Sequence, residues 1–207
     1  MFSYLNIEQW SRKNAFNFYK DFDDPFFNVT VNLDVTALKN YCKKNDLSFF
    51  LACLHRCLEA TNEVENFRMR MDEKGIKVYD IIHGGSTLFY EDESFGFAYY
   101  DFQEDLRNFI EESQRRIDES NASKSFDPSN EREDLIYFSS LPWIRFTSLK
   151  HAMDKRINPS IPRISFGKYF EQNTTIQMPV NVEVNHALMD GFQMARFLDL
   201  FQNKLYL

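Results

Sequence analysis

Val184-Asn185-His186-Ala187-Leu188-Met189-Asp190-Gly191-Phe192 joins an alternating apolar/polar run to a helical one. Upstream, residues 176–185 alternate in the manner of a buried strand. Downstream, Met194, Phe197, Leu198, Phe201 and Leu205 recur at helical spacing and form a core-facing stripe. Between them stands a histidine with a carboxylate four residues on, followed by a glycine that suits a tight entry into the helix. Imidazole titrates near neutral pH, so a histidine at the end of a strand is a candidate general base. An isolated His-x-x-x-Asp is more often a core histidine satisfied by backbone groups, so the remaining sequence has to decide.

Working outward, Phe27, Val29, Val31 and Leu33 alternate with Asn28, Thr30 and Asn32 and predict a strand. Asp34 is the expected N-cap of a helix carrying Val35, Leu38 and Cys42, and Ser48 opens a nearly apolar, buried helix. A short helix is predicted over 8–19. A hairpin is expected where Phe67, Met69 and Met71 return as Ile76 and Val78 through the turn Asp72-Glu73-Lys74-Gly75. Further strands are expected at 86–90, 94–100, 135–140, 143–148 and 162–169, with an amphipathic helix over about 103–119 and a polar loop over 120–133. This interleaving without strict alternation predicts an α/β fold: a two-layer sandwich of a mixed sheet covered by helices, in a single domain over residues 1–207.

Composition narrows the function. A formal net charge of −7 tells against nucleic acid and anionic membranes, which need a basic face. No segment has the length and apolarity of a transmembrane helix, and the first residues lack the pattern of a signal peptide, so a cytoplasmic protein is expected. Cys42, Cys53 and Cys57 lack zinc-type spacing and read as reduced packing residues, so no metal is expected. The 22 Phe and 10 Tyr suit a large sheet, a lined pocket or a subunit interface.

Two more segments stand out, Leu141-Pro142-Trp143-Ile144-Arg145-Phe146-Thr147-Ser148 and Phe166-Gly167-Lys168-Tyr169. With Trp10-Ser11-Arg12-Lys13 and the histidine motif, they resemble the chloramphenicol acetyltransferase family, in the same order and at similar intervals. The likeness extends through Leu33-Asp34-Val35-Thr36, Phe67-Arg68-Met69 and Ser94-Phe95, and covers nearly the whole chain. It implies a homotrimer of coenzyme-A-dependent acyltransferase fold with active sites between subunits, moving an acetyl group from acetyl-CoA to a hydroxyl of chloramphenicol or a related small molecule. Within that resemblance His186 matches the catalytic base and Ser148 the serine that hydrogen-bonds the oxyanion. Arg12 and Asp190 match a supporting ion pair. Phe18, Tyr19, Phe27 and Phe95 match the acceptor pocket, with Tyr137 or Phe138 on its other wall, and Ser165, Lys168 and Tyr169 lie near the coenzyme.

Two departures qualify the likeness. Asn185 stands where the family usually has a first histidine, although asparagine still donates and accepts hydrogen bonds. Asp23 and Asp24 follow the aromatic pair, and two carboxylates near an apolar pocket are costly unless solvated. Transfer to a different hydroxyl acceptor, or an idle trimeric binding protein, are the alternatives these departures raise. A serine hydrolase using Ser148, His186 and Asp190 lacks the Gly-x-Ser-x-Gly elbow.

Overall fold

A computed structural model describes residues 1–124, 126, 132–152 and 160–206. Its main sheet contains β2 (Phe26–Asp34), β5 (His83–Phe89), β6 (Phe95–Tyr100), β7 (Leu135–Leu141), β8 (Arg163–Gly167), β9 (Phe170–Gln172) and β10 (Thr175–Asn185). The strand order is β2-β10-β8-β7-β5-β6, with β9 pairing to β10 off that path. β5, β7 and β8 run parallel to one another, while β10 is antiparallel to β2, β8 and β9, so the sheet is mixed. A second, three-stranded sheet joins β1 (Phe2–Tyr4) to the hairpin β3 (Met69–Asp72) and β4 (Gly75–Tyr79).

The period-2 pattern of β10 sorts the two faces of the main sheet. Met178, Val180, Val182 and Val184 point into the core. They pack there with α2 (Thr36–Asn45), α3 (Phe49–Glu63), α4 (Leu106–Ser123) and α5 (Gly191–Leu205). The alternate residues Asn181, Glu183 and Asn185 are buried on the second face. α1 (Lys13–Tyr19) packs elsewhere, its Phe16 against Met69, Ile76, Ala187 and Leu188 of a smaller core that supports the histidine turn. Layers of mixed sheet and helix thus appear as the interleaved pattern implies.

Several boundaries differ from the sequence expectation. The N-terminal helix is broken: a 3₁₀ turn covers Ile7–Gln9, Trp10 leaves it in an extended conformation, and α1 begins at Lys13. The break frees Arg12 to reach across the chain. Phe67 and Arg68 form a 3₁₀ turn before β3. α2 begins at Thr36 with Val35 at its cap position, while the Asp34 carboxylate accepts from the Thr36 N–H at 2.9 Å. Ser48 caps α3 as expected, accepting from Leu51 N–H.

Residues 143–148 are not a strand. Pro142 lacks an amide donor, the Ile144 N–H turns back to the Leu141 carbonyl, and the Ile144 carbonyl then accepts from Lys168 N–H at 2.9 Å. Gly167 permits this clamp, since a Cβ there would lie 2.9 Å from the Phe146 ring. α4 extends four residues past its expected end to Ser123, into the stretch read as loop; residues 125 and 127–131 lie outside the described residues.

Candidate active site

β10 ends at Asn185, and the next four residues form a turn built around it. The Asn185 carbonyl accepts from Leu188 N–H and Met189 N–H at 3.1 and 3.3 Å, and its side-chain Oδ1 accepts from Ala187 N–H at 2.8 Å. The turn carries the Met189 carbonyl to within 3.2 Å of His186 Nδ1. A carbonyl only accepts, so Nδ1 holds the proton of the neutral ring and the lone pair is on Nε2. The Tyr19 ring stacks on the imidazole at 4.0 Å and 7°, and Phe27 lies tilted against it at 4.7 Å. The His186 N–H donates to the Pro25 carbonyl at 2.8 Å. The half-buried imidazole is therefore fixed in tautomer, tilt and position, which is what a general base requires.

Arg12 and Asp190 hold the same turn from outside. Arg12 Nη1 forms an ion pair with Asp190 Oδ2, and its Nη2 donates to the His186 carbonyl at 3.3 Å. Asp190 Oδ1 caps α5 by accepting from Phe192 N–H at 2.9 Å, and Gln193 returns the bond to Asp190 N–H at 2.9 Å. Burial alone would raise the Asp190 carboxyl. The Phe192 amide and the Arg12 guanidinium outweigh it, so the group sits below the usual aspartate range. The proton on His186 Nδ1 goes to Met189, not to Asp190, so a Ser-His-Asp relay is absent from this arrangement.

Phe18 joins Tyr19 and Phe22 in an exposed aromatic cluster beside the imidazole. Asp23 and Asp24 are exposed, and Lys150 Nζ meets Asp24 at 2.5 Å. Hydration and that pairing relieve the cost foreseen for carboxylates near the pocket.

The remaining expected site residues lie elsewhere in the same protomer. Phe95 lines a cavity of about 480 Å³ with Phe50, Phe89, Ser139, Ser140 and Trp143. Tyr137 lines an adjoining one of about 230 Å³ with Gly85, Phe97 and Tyr99, and Thr87 borders both. A third, of about 140 Å³, shares Phe50, Ser140 and Pro142 with the first and reaches Cys53, Lys168 and Tyr169. Lys168 and Tyr169 are exposed at its mouth, where Lys39 Nζ sits 3.9 Å over the Tyr169 ring. Ser165 lies apart from them, fully buried on the second sheet face and hydrogen-bonded to His151 Nε2 at 2.8 Å. Ser148 is exposed on the loop after Phe146 and lines none of these three cavities.

Register measures the separation of the two groups. Phe95 pairs with Phe89, and following the ladder through Leu141 and Gly167 places that row one residue beyond Val180, away from Asn185. Phe95 and His186 are thus about seven residues apart along the strands and about four strands apart across them, roughly 20 Å in each direction. A single chain separates the imidazole from the Phe95 cavity.

A family model described as "Chloramphenicol acetyltransferase" matches residues 1–202. The chain belongs to the chloramphenicol acetyltransferase family. It is an acyltransferase, as that family's members are. The chain is similar to the chloramphenicol acetyltransferase of Escherichia coli, with 30% identity covering 96% of this chain and 91% of that protein. It is similar also to that of Campylobacter coli, with 30% identity covering 99% and 98%. A solved chloramphenicol acetyltransferase structure superposes with a TM-score of 0.91 at 28% identity, over 99% of this chain and 100% of that one. The dihydrolipoamide acetyltransferase of Azotobacter vinelandii, at 17% identity and a TM-score of 0.71 over 99% and 90%, shares the fold.

Sequence reading passed over Ser139, Ser140, Lys39 and, on the second sheet face, Arg163, Asn181 and Glu183. The signal for Ser139 was present, since it falls two residues after Tyr137 and shares its side of β7. The others depend on which strands and helices adjoin, which no local pattern reports.

Proposed function

We propose that the protein transfers an acetyl group from acetyl-CoA to a hydroxyl of chloramphenicol or a related small molecule, as a cytoplasmic homotrimer of single-domain subunits. The observation that carries this reading is the fixed tautomer of His186, with Nδ1 held by Met189 and the Nε2 lone pair left for an alcohol. An alcohol is a poor nucleophile at neutral pH. His186 Nε2 removes its proton as oxygen attacks the thioester carbon, then delivers that proton to the departing thiolate. The C–O bond forms first, giving a tetrahedral oxyanion whose collapse breaks the C–S bond, and no acyl-enzyme intervenes. Such base catalysis contributes roughly 10²–10⁴-fold.

Complete sites form between copies, the His186 face of one subunit meeting the Phe95 cavity of the next; the separation within one chain supports this. The oxyanion needs a hydroxyl on a rigid element. Ser139 on β7, in the Phe95 cavity, suits that role better than Ser148 on its exposed loop, so we assign it to Ser139. Lys168 and Tyr169 suit the coenzyme as a cation for phosphate and a ring for the adenine, while Ser165 serves to anchor His151.

Thiol release from acetyl-CoA tests the proposal, measured with chloramphenicol and with other hydroxyl acceptors. His186→Ala should lower turnover by about 10²-fold or more. Wild-type turnover in that variant contradicts the assignment of the base.

A further inference from the structure

The sheet face that carries Tyr137 and Ser139 has a gap among its aromatics that the assignments above leave unused. One register row runs Tyr99, Gly85, Tyr137 across β6, β5 and β7. Phe97 and Thr87 pair in the next row on the same face, and Phe95 and Phe89 in the row after that. Gly85 offers no side chain between the two tyrosines. A Cβ built there would lie 3.0 Å from the Tyr99 ring, so that ring leans across the glycine. The Phe97 ring stands edge-on to Phe95 at 5.8 Å. The result is the cavity of about 230 Å³ bounded by Tyr99, Tyr137 and Phe97, which meets the cavity of about 480 Å³ at Thr87.

Both cavities belong to the Phe95 half of the site, so one copy supplies the whole seat and the next copy supplies His186. Ser139 follows Tyr137 by two residues on the same side of β7, about 7 Å along the strand. From the Phe95 row to the Tyr99 row is four residues, about 13 Å. An acceptor whose hydroxyl lies at Ser139 therefore has room for a body that runs on to Tyr99 and Tyr137. Together the cavities offer the space of a drug-sized ligand, more than a single ring fills. Among the described residues, no charged side chain lines either cavity. A sugar or an ion would lose its hydration there without gaining matching partners. An aliphatic body would fill the space but forgo ring contacts. Flat aromatic rings gain most, since they can stack on or meet the edges of Phe97, Tyr99 and Tyr137.

We propose that Gly85, Tyr99 and Tyr137 select the acceptor, and that this acceptor is a hydroxyl compound with a flat body of two or three fused aromatic rings. The inference rests on the acetyl-transfer reading and narrows its substrate class. The hydroxyl is acetylated by the steps given above while the rings lie in the cavity beside Tyr137.

The test uses the full chain with acetyl-CoA and three alcohols that share one reacting group: benzyl alcohol, 2-naphthalenemethanol and 2-anthracenemethanol. The naphthyl compound should exceed benzyl alcohol in kcat/KM by at least about ten-fold, chiefly through a lower KM, and the anthracenyl compound should keep that gain. Gly85→Val drives the Tyr99 ring into the cavity and should reduce the naphthyl-to-benzyl ratio about five-fold or more. Tyr137→Ala should reduce the same ratio, and Tyr137→Phe, which keeps the ring, should restore it. If Gly85→Val fails to fold, the two Tyr137 variants decide. Equal kcat/KM for the three alcohols, or a ratio indifferent to both positions, overturns the proposal. Calorimetry with coenzyme A and thiol release with chloramphenicol separate the causes. Coenzyme bound and chloramphenicol acetylated, with no gain from added rings, sinks only this inference, whereas no coenzyme binding sinks the acetyl-transfer reading as well.

Discussion

Replacing Asp190 separates two jobs that the structure assigns to one carboxylate. Asp190→Ala removes the α5 cap, worth about 1 kcal/mol, and the Arg12 ion pair. Breaking a fully buried pair costs about 3–5 kcal/mol. The Asp190 side chain is 39% exposed against 12% for Arg12, so solvent screening brings the figure to about 1–2 kcal/mol. The total of about 2–3 kcal/mol should lower Tm by roughly 4–12 °C in a chain of this size. Asp190→Asn keeps a good cap and loses the charge, so it should show about half that shift. Both should lower kcat, because the Arg12 bond to the His186 carbonyl loses its anchor. The pH dependence has a definite sign. The folded carboxyl lies below its unfolded value near 3.9, so its stabilisation is full above that value and is lost as pH falls through the folded one. The gap in Tm between wild type and Asp190→Asn should therefore close on acidification below about pH 4. Thermal denaturation and steady-state thiol release on the wild type, both variants and Arg12→Met complete the cycle. Equal Tm and equal kcat in all four would refute the reasoning.

Ser139→Ala should reduce kcat by about 10²–10³-fold with little change in coenzyme affinity, while Ser148→Ala stays near wild type; the reverse order would return the oxyanion role to Ser148. Gly167→Ala should cost about 1–3 kcal/mol by driving a methyl into the Phe146 ring and the Ile144 carbonyl, read as a lower Tm and a raised KM for acetyl-CoA. Asn185→Ala removes the bond to Ala187 N–H and should cost about 1–2 kcal/mol and lower kcat, because the Met189 carbonyl no longer meets Nδ1 squarely. Asn185→His offers a ring nitrogen as acceptor and should retain most activity; equal kcat in wild type and Asn185→Ala would show that the turn holds itself without this side chain.

Strict alternation made the sheet legible before any coordinates: β2 and β10 fall where Phe27–Leu33 and 176–185 alternate, and Ser48 marks the start of α3. The 143–148 segment misled because Trp143, Ile144, Phe146 and Thr147 are the aromatic and β-branched types that strands favour. Only the contact with Gly167, a residue distant in sequence, bends it into a clamp. The break between Ile7–Gln9 and α1 was hidden for a similar reason, since Arg12 answers to Asp190 at the far end of the chain. His186 could be singled out from its motif, yet the carbonyl that sets its tautomer belongs to the folded turn. Arg163 and Glu183 meet only through the pairing of β8 with β10, a register that neither strand specifies alone.

Complementation between two inactive variants tests the central claim, a site built from His186 of one copy and the Ser139 wall of another. His186→Ala and Ser139→Ala should each be nearly inactive, and assemblies formed from an equal mixture should regain roughly one quarter of wild-type turnover, the fraction of interfaces with both halves intact. No recovery, in mixtures shown to exchange subunits, would mean that each site lies within a single chain and would contradict the account.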